Sequence, residues 1–230
     1  MNVELRPFFE RYEALARLAE ETFEKIQSQF PECVTCKITC ADCCHALFDV
    51  SLIEAMYINY HFHRRFQGEQ KEKRLQIANT IDRKTYKLKR KAYKSLASGQ
   101  DESKILFEMA EQRIRCPLLN DALSCDLYDY RPITCRLYGV PTAIGGKSHT
   151  CGLTKFEKGK SYPTVNIDVL QKKLYALSEE LVRAIGSKYT RLAELLVPLS
   201  MALLTDYDDK YLGIDDAKST GDPLTTANKT

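Results

Sequence analysis

Residues 33–45 read CVTCKITCADCCH, five cysteines in thirteen positions of a chain that carries nine cysteines and no tryptophan. Four of the five follow Cys36-x3-Cys40-x2-Cys43-Cys44. On a helix of about 3.6 residues per turn, positions 36, 40, 43 and 44 fall on one face, with Cys33 earlier on the same stripe. Adjacent Cys43 and Cys44 diverge there by about 100°, so they need not serve the same atom. A helix or a chain of turns in this stretch aims a row of sulfurs in one direction.

Four more cysteines, Cys116, Cys125, Cys135 and Cys151, lie in residues 116–163. Proline, glycine, asparagine and aspartate punctuate that segment and no apolar period persists, the signature of a turn-rich region organised around something other than an extended core. Thiolates bind soft and borderline metals, and four of them satisfy a tetrahedral zinc or a [4Fe–4S] cluster. Setting Cys33 aside leaves eight candidate ligands, Cys36, Cys40, Cys43, Cys44, Cys116, Cys125, Cys135 and Cys151. They suffice for two four-thiolate sites, or for one site and a set of reactive thiols. Zinc sites are usually built from paired Cys-x2-Cys knuckles. The dense cluster with scattered single cysteines seen here suits an iron–sulfur cluster better.

Two plainer readings compete. Buried free cysteine is a common small core residue, but four within nine positions exceed what packing needs. Disulfides chiefly rescue small domains with too little core. This chain has 230 residues, 44% of them apolar and 28% charged, enough to bury a core without staples. Its first residues lack the apolar segment of a signal peptide, and no stretch approaches the roughly 18 apolar residues of a membrane span. The cytoplasm is the expected compartment, with no membrane partner. Thiols stay reduced there, and an odd number cannot all pair internally.

The remaining sequence reads mainly as helix. Phe8, Tyr12, Leu15, Ala19, Phe23, Ile26 and Phe30 step by threes and fours along one face until Pro31. Ser51 and Glu54 form a capping-box pattern that predicts a helix from about Leu52 to Phe66. Residues 69–98 predict a lysine-rich helical insertion, 105–114 a short helix, 169–185 another, and 189–204 a last one kinked at Pro198. The polar residues 215–230 read as a disordered tail. No internal repeat is evident. The expected architecture is one mainly α domain over residues 1–214, its irregular cysteine segment (motif region 33–155) organised around a metal centre.

The ordered set CKITCADCC, CPLL, CDLYDYRPITCRLYG and a further cysteine resembles the YkgJ-type cysteine-cluster family, also described as a zinc- or iron-chelating domain. Its hallmarks are a Cys-x2–3-Cys-x2-Cys-Cys run, then Cys-Pro-x-Leu, Cys-x-Ile/Leu-Tyr and Arg-Pro-x-x-Cys-Arg. Residues 36–44 and 116–136 match in order and spacing, and Cys151 stands where a closing cysteine is expected. The resemblance spans about residues 33–155 and implies that the eight cysteines hold an iron–sulfur cluster or zinc. Cys33 is additional to the pattern.

Pro132 suits the first turn of a helix, where its missing N–H is no loss, and places Cys135 one turn on. Arg131 and Arg136 then either offset the charge of an anionic metal–thiolate site or simply pair with Asp126 or Asp129. Tyr128 and Tyr138 read as walls. His149 and His45, next to Cys151 and Cys44, read as neighbours of the site rather than ligands.

Three functional classes follow: a metal-cluster protein in redox, cluster handling or metal storage, an enzyme, or a binding module. Flagellar lysine-N-methylases carry a cysteine cluster of this type, which makes a methyltransferase the enzyme to weigh, with no catalytic residue assignable. The AIGGK run at 143–147 is a poor match for the glycine-rich loop of a Rossmann-type cofactor fold. DRKTYKLKRKAYK at 82–94 mixes bases with two tyrosines, as phosphate-binding helices do. With a net charge of only +3 the expectation is an ordinary solvated face, the partners being a metal ion or cluster and a protein rather than nucleic acid.

Overall fold

The computed structural model describes residues 4–37 and 39–214; the expected tail at 215–230 lies outside the described residues. Among these, eight helices and five short strands appear, so the chain is mainly α.

Helix α1 (Arg6–Gln29) buries Phe9, Tyr12, Ala16, Ala19 and Ile26, the three-and-four spacing of one helical face. It ends at Phe30, immediately before Pro31. Strand β1 (Asp49–Ser51) leads into α2 (Leu52–Arg65), which opens on the capping box formed by Ser51 and Glu54. All seven residues from Leu52 to Ile58 are buried, which places α2 at the centre of the molecule. Burying side chains such as Ile53, Ile58 and Phe62 completely stabilises the fold by about 2 kcal/mol each.

Helix α3 (Gly68–Ala97) is 30 residues long, about 45 Å. It is followed by α4 (Glu102–Ala110), whose Asp101 cap accepts from the Lys104 amide. The four-residue α5 (Ile133–Arg136) carries Cys135 and packs on α1. Strands β2 (Thr142–Ile144) and β3 (Lys147–His149) form a hairpin, and β4 (Val165–Asn166) pairs with β2 in parallel. Helix α6 (Ile167–Ala184) packs its Leu170, Leu174, Leu177 and Leu181 stripe against α1 and α2.

The region 189–204 departs from the sequence expectation. It forms a 3-10 turn (Leu192–Glu194), then strand β5 (Leu196–Pro198), then α7 (Leu199–Leu204). β5 pairs antiparallel with β1, Val50 opposite Val197. Pro198 therefore caps a new helix rather than kinking an old one, because it has no N–H to continue a helical ladder. Helix α8 (Asp209–Leu212) ends the described chain near Gly213, whose left-handed backbone (φ +66°) closes it.

Two apolar cores result. The larger joins α1, α2, α5 and α6, the other joins the far side of α2 to α3, α7 and residues 118–127, and Tyr130 and Tyr207 border both. No helix among the described residues is long and apolar enough to cross a membrane.

Candidate metal centre

The run 33–45 is not a helix. Apart from turns at 31–33 and at Thr39 and the 3-10 turn Cys43–His45, its described residues are irregular. β-Branched Val34, Thr35 and Thr39 favour extended backbone, and Pro31 blocks continuation of α1. Its backbone instead bonds to the second cysteine segment. The Cys116 amide donates to the Cys44 carbonyl at 2.6 Å and the Ile114 amide to His45 at 3.1 Å. Further on, the Lys155 amide donates to the Cys33 carbonyl and the Thr35 hydroxyl to the Leu153 carbonyl, tying the Cys151 loop to the same stretch.

These bonds bring the two halves of the cysteine pattern together. A chamber of about 440 Å³ is lined by Cys36, Cys40, Cys43, Cys44, Cys125 and Cys135, with Phe23, Tyr128 and Tyr138 as walls. A smaller void of about 50 Å³ is lined by Cys43, Cys44, Cys116, Cys125 and Cys135. Cys151 reaches the group through Asp42, whose Oδ2 accepts from the Cys151 thiol at 3.1 Å. The Asp42 carboxylate also accepts from the Tyr138 hydroxyl at 3.0 Å and pairs with Arg113 at 2.5 Å. Cys33 is buried elsewhere, its sulfur 3.5 Å from its neighbour Glu32.

Three of the four cysteines of the second segment, Cys116, Cys125 and Cys151, are presented in a repeated way. The Leu118 amide donates to the Cys116 sulfur at 3.4 Å and the Leu153 amide to the Cys151 sulfur at 3.4 Å. The Leu127 amide donates to Cys125. In all three the donor lies two residues after the cysteine, and such bonds favour the thiolate over the thiol. The turn before Cys125 is fixed by Asn120, whose side-chain oxygen accepts from the Ala122 and Ser124 amides at 3.0 Å each.

Burial works in the opposite direction. It pushes the Cys36 and Cys116 thiols up to about 12 and Cys151 to about 11, and it raises Cys125 as well. Cys43 alone is drawn down, by hydrogen bonds from Cys135 and Cys44, whose own protons are held correspondingly tighter. A buried thiol stays protonated until a cation offsets the charge, so metal entry here would expel protons.

Arg131 and Arg136 both line the chamber, but neither pairs with Asp126 or Asp129 side chains. Glu20 of α1 takes both, Arg131 at 2.7 Å and Arg136 at 2.6 Å. Arg136 is buried and also donates to the backbone carbonyls of Asp129 and Arg131, while Arg131 stacks 4.0 Å over the Tyr128 ring. Asp126 pairs with Arg74 instead. Two guanidiniums sharing one carboxylate leave one positive charge uncompensated within that trio. His149 stands exposed on β3 and does not line the chamber; the Nδ1 of His45 lies 3.0 Å from the Ala41 carbonyl. The Gly145–Gly146 pair of the AIGGK run is the turn of the β2–β3 hairpin, both with positive φ, not a loop between a strand and a helix.

Sequence reasoning missed Glu20 and Asp42. Asp42 had a signal, its place between Cys40 and Cys43. Glu20 had none, since 111 residues separate it from Arg131.

No family model, no curated protein and no solved structure matches this chain. Among the described residues, no three His, Cys, Asp or Glu side chains are set to grip a single metal ion as they stand.

Gly139 lies against the candidate centre with φ +107°, and a Cβ there would overlap the Cys36 sulfur. Gly139→Ala is therefore expected to displace Cys36 and to cost about 2 kcal/mol of stability through strain and overlap. Denaturant unfolding of the two proteins side by side checks this; equal midpoints would contradict it.

Proposed function

We propose that this chain is a metal-cluster protein of the YkgJ type, holding an iron–sulfur cluster of the four-iron kind through four thiolates drawn from Cys36, Cys40, Cys43, Cys44, Cys116, Cys125, Cys135 and Cys151, a set large enough for a second such site. Its work would then be in electron transfer, cluster handling or metal storage. The observation that carries this reading is the presentation of Cys116, Cys125 and Cys151, each accepting a backbone amide two residues on, beside a chamber lined by six other-or-shared thiols. Cysteines that merely fill a core need no such donors.

The choice of iron–sulfur over zinc rests on spread. A lone tetrahedral zinc takes only four sulfurs, each about 2.3 Å away, whereas seven thiols line the chamber and the smaller void. A four-iron cluster takes one thiolate at each corner and so suits thiols arranged around a chamber. When bound, it supplies a one-electron redox centre. The chain's own groups do the rest. The amides of Leu118, Leu127 and Leu153 donate to sulfur, and the uncompensated charge of the Arg131–Arg136–Glu20 trio offsets an anionic centre. Tyr128 and Tyr138 wall the chamber.

Anaerobically purified protein is expected to be brown, with a broad visible absorbance that bleaches on reduction. Colourless protein with stoichiometric zinc would replace iron by zinc in this reading, and protein lacking both metals after reconstitution would refute it.

A further inference from the structure

Helix α3 carries a short repeat whose meaning emerges from its placement. Arg83-Lys84-Thr85-Tyr86-Lys87 recurs seven residues later as Arg90-Lys91-Ala92-Tyr93-Lys94. Seven residues advance a helix by about 10 Å and turn it by only about 20° from two full turns. Both copies therefore present the same side chains to the same side. The third residue of each copy is the one turned inward, Thr85 buried and Ala92 half-buried, while the arginines, lysines and tyrosines are exposed. The protein-facing side is made by Ala78, Ile81 and Thr85.

Two features separate this surface from a solvated helix face. The tyrosines are far out in solvent, Tyr86 62% and Tyr93 73% exposed, where an aromatic ring gains nothing from the fold. The charges are also unopposed. The α3 cations that do pair, Arg74 with Asp126 and Lys89 with Asp49, lie outside the repeated positions. Among the described residues Arg83, Lys84, Lys87, Arg90, Lys91 and Lys94 have no ion-pair partner, and nearby Asp82 is engaged by the Ser200 hydroxyl at 3.0 Å. A modest net charge thus conceals a concentrated positive stripe.

We propose that this face of α3 binds single-stranded nucleic acid. Tyr86 and Tyr93 act as successive stacking platforms for unpaired bases, and the flanking arginines and lysines hold the phosphates on either side. Base stacking is what fixes the class of partner. Lysines and arginines alone would suit any polyanion, but flat rings repeated between them match bases that are free of a duplex. This face of α3 carries none of the cysteines.

The test uses the full chain with short fluorescent single strands of RNA and of DNA, followed by anisotropy at several salt concentrations. Binding of either strand, weakening as salt rises, is expected. Tyr86→Ala with Tyr93→Ala should weaken it at least about tenfold, since each stacked base contributes separately. Lys87→Gln, Arg90→Gln and Lys94→Gln together should reduce the salt slope by about 2, the share of three phosphate contacts on a single strand. All substituted positions are exposed, and metal content in these variants should match the parent protein, which keeps this outcome separate from that of the metal centre. Absence of binding by both strands would overturn the proposal. So would unaltered affinity in the tyrosine variant, or equal binding to anionic lipid vesicles, which would mark a purely electrostatic surface.

Discussion

Cys135→Ser is expected to abolish metal binding, whereas Cys33→Ser leaves it intact. Cys135 sits on α5 with its side chain against Cys43, in the wall of both the chamber and the smaller void. A serine hydroxyl there is a poor ligand for iron or zinc and would leave the set one thiolate short. Cys33 shares neither wall and lies beside Glu32. The consequence extends to stability, because a group that binds only the folded state stabilises it by mass action. At a concentration about a thousandfold above its dissociation constant that amounts to about 4 kcal/mol, which for a chain of this size corresponds to about 10 °C in Tm. Metal analysis and thermal unfolding of the two variants together check the prediction. Full metal content in Cys135→Ser would remove that residue from the site.

Glu54→Ala is expected to destabilise the protein by about 4 kcal/mol and to lower its metal content as well. Glu54 is buried, and its two oxygens serve four donors from three parts of the chain. Oε1 accepts from the Tyr12 hydroxyl at 3.3 Å and from the Ile133 amide at 3.1 Å. Oε2 accepts from the amide and hydroxyl of Ser51 at 3.3 and 3.1 Å. Removing the carboxylate strands buried donors, at about 1–3 kcal/mol each and not simply additively. The Ile133 amide begins α5, so the same change loosens the element that carries Cys135. The pH dependence has a defined sign. Burial, opposed by those hydrogen bonds, raises the Glu54 carboxyl above its ordinary 4.5. A raised folded-state value means tighter proton binding when folded, so this contribution is fully present below 4.5 and is lost as pH rises through the raised value. The stability gap between parent and Glu54→Ala should accordingly widen on acidification, as read by denaturant unfolding at neutral and mildly acidic pH. A gap that narrows would contradict the assignment.

Much of the helical frame was legible because it obeys local rules. The apolar stripe of α1, the capping box of α2 and the leucine stripe of α6 are each set by a few residues' own spacing. Residues 192–204 misled because their leucines also keep a helical period; pairing of Val197 with Val50 and the missing amide of Pro198 override it. The cysteine stripe at 36–44 has helical spacing yet folds as turns, since its backbone donors and acceptors are taken by residues 114–116 and 153–155. Eight candidate sulfurs follow from order along the chain, but the carboxylate that gathers Arg131 and Arg136 did not. Glu20 belongs to a helix whose period announces only its buried face, and its role comes from where α5 docks. The short repeat in α3 corrects the expectation of no internal repeat; it stands in the sequence, and its register acquires meaning once Thr85 and Ala92 face inward.

Native mass spectrometry of the full chain, purified without oxygen, tests the central claim most directly, that thiols from two separated segments enclose an inorganic centre. The account predicts a mass above that of the bare polypeptide by a whole number of iron and sulfide atoms, retained in Cys33→Ser and absent from Cys135→Ser. A bare-polypeptide mass after reconstitution with iron and sulfide, or with zinc, would contradict it.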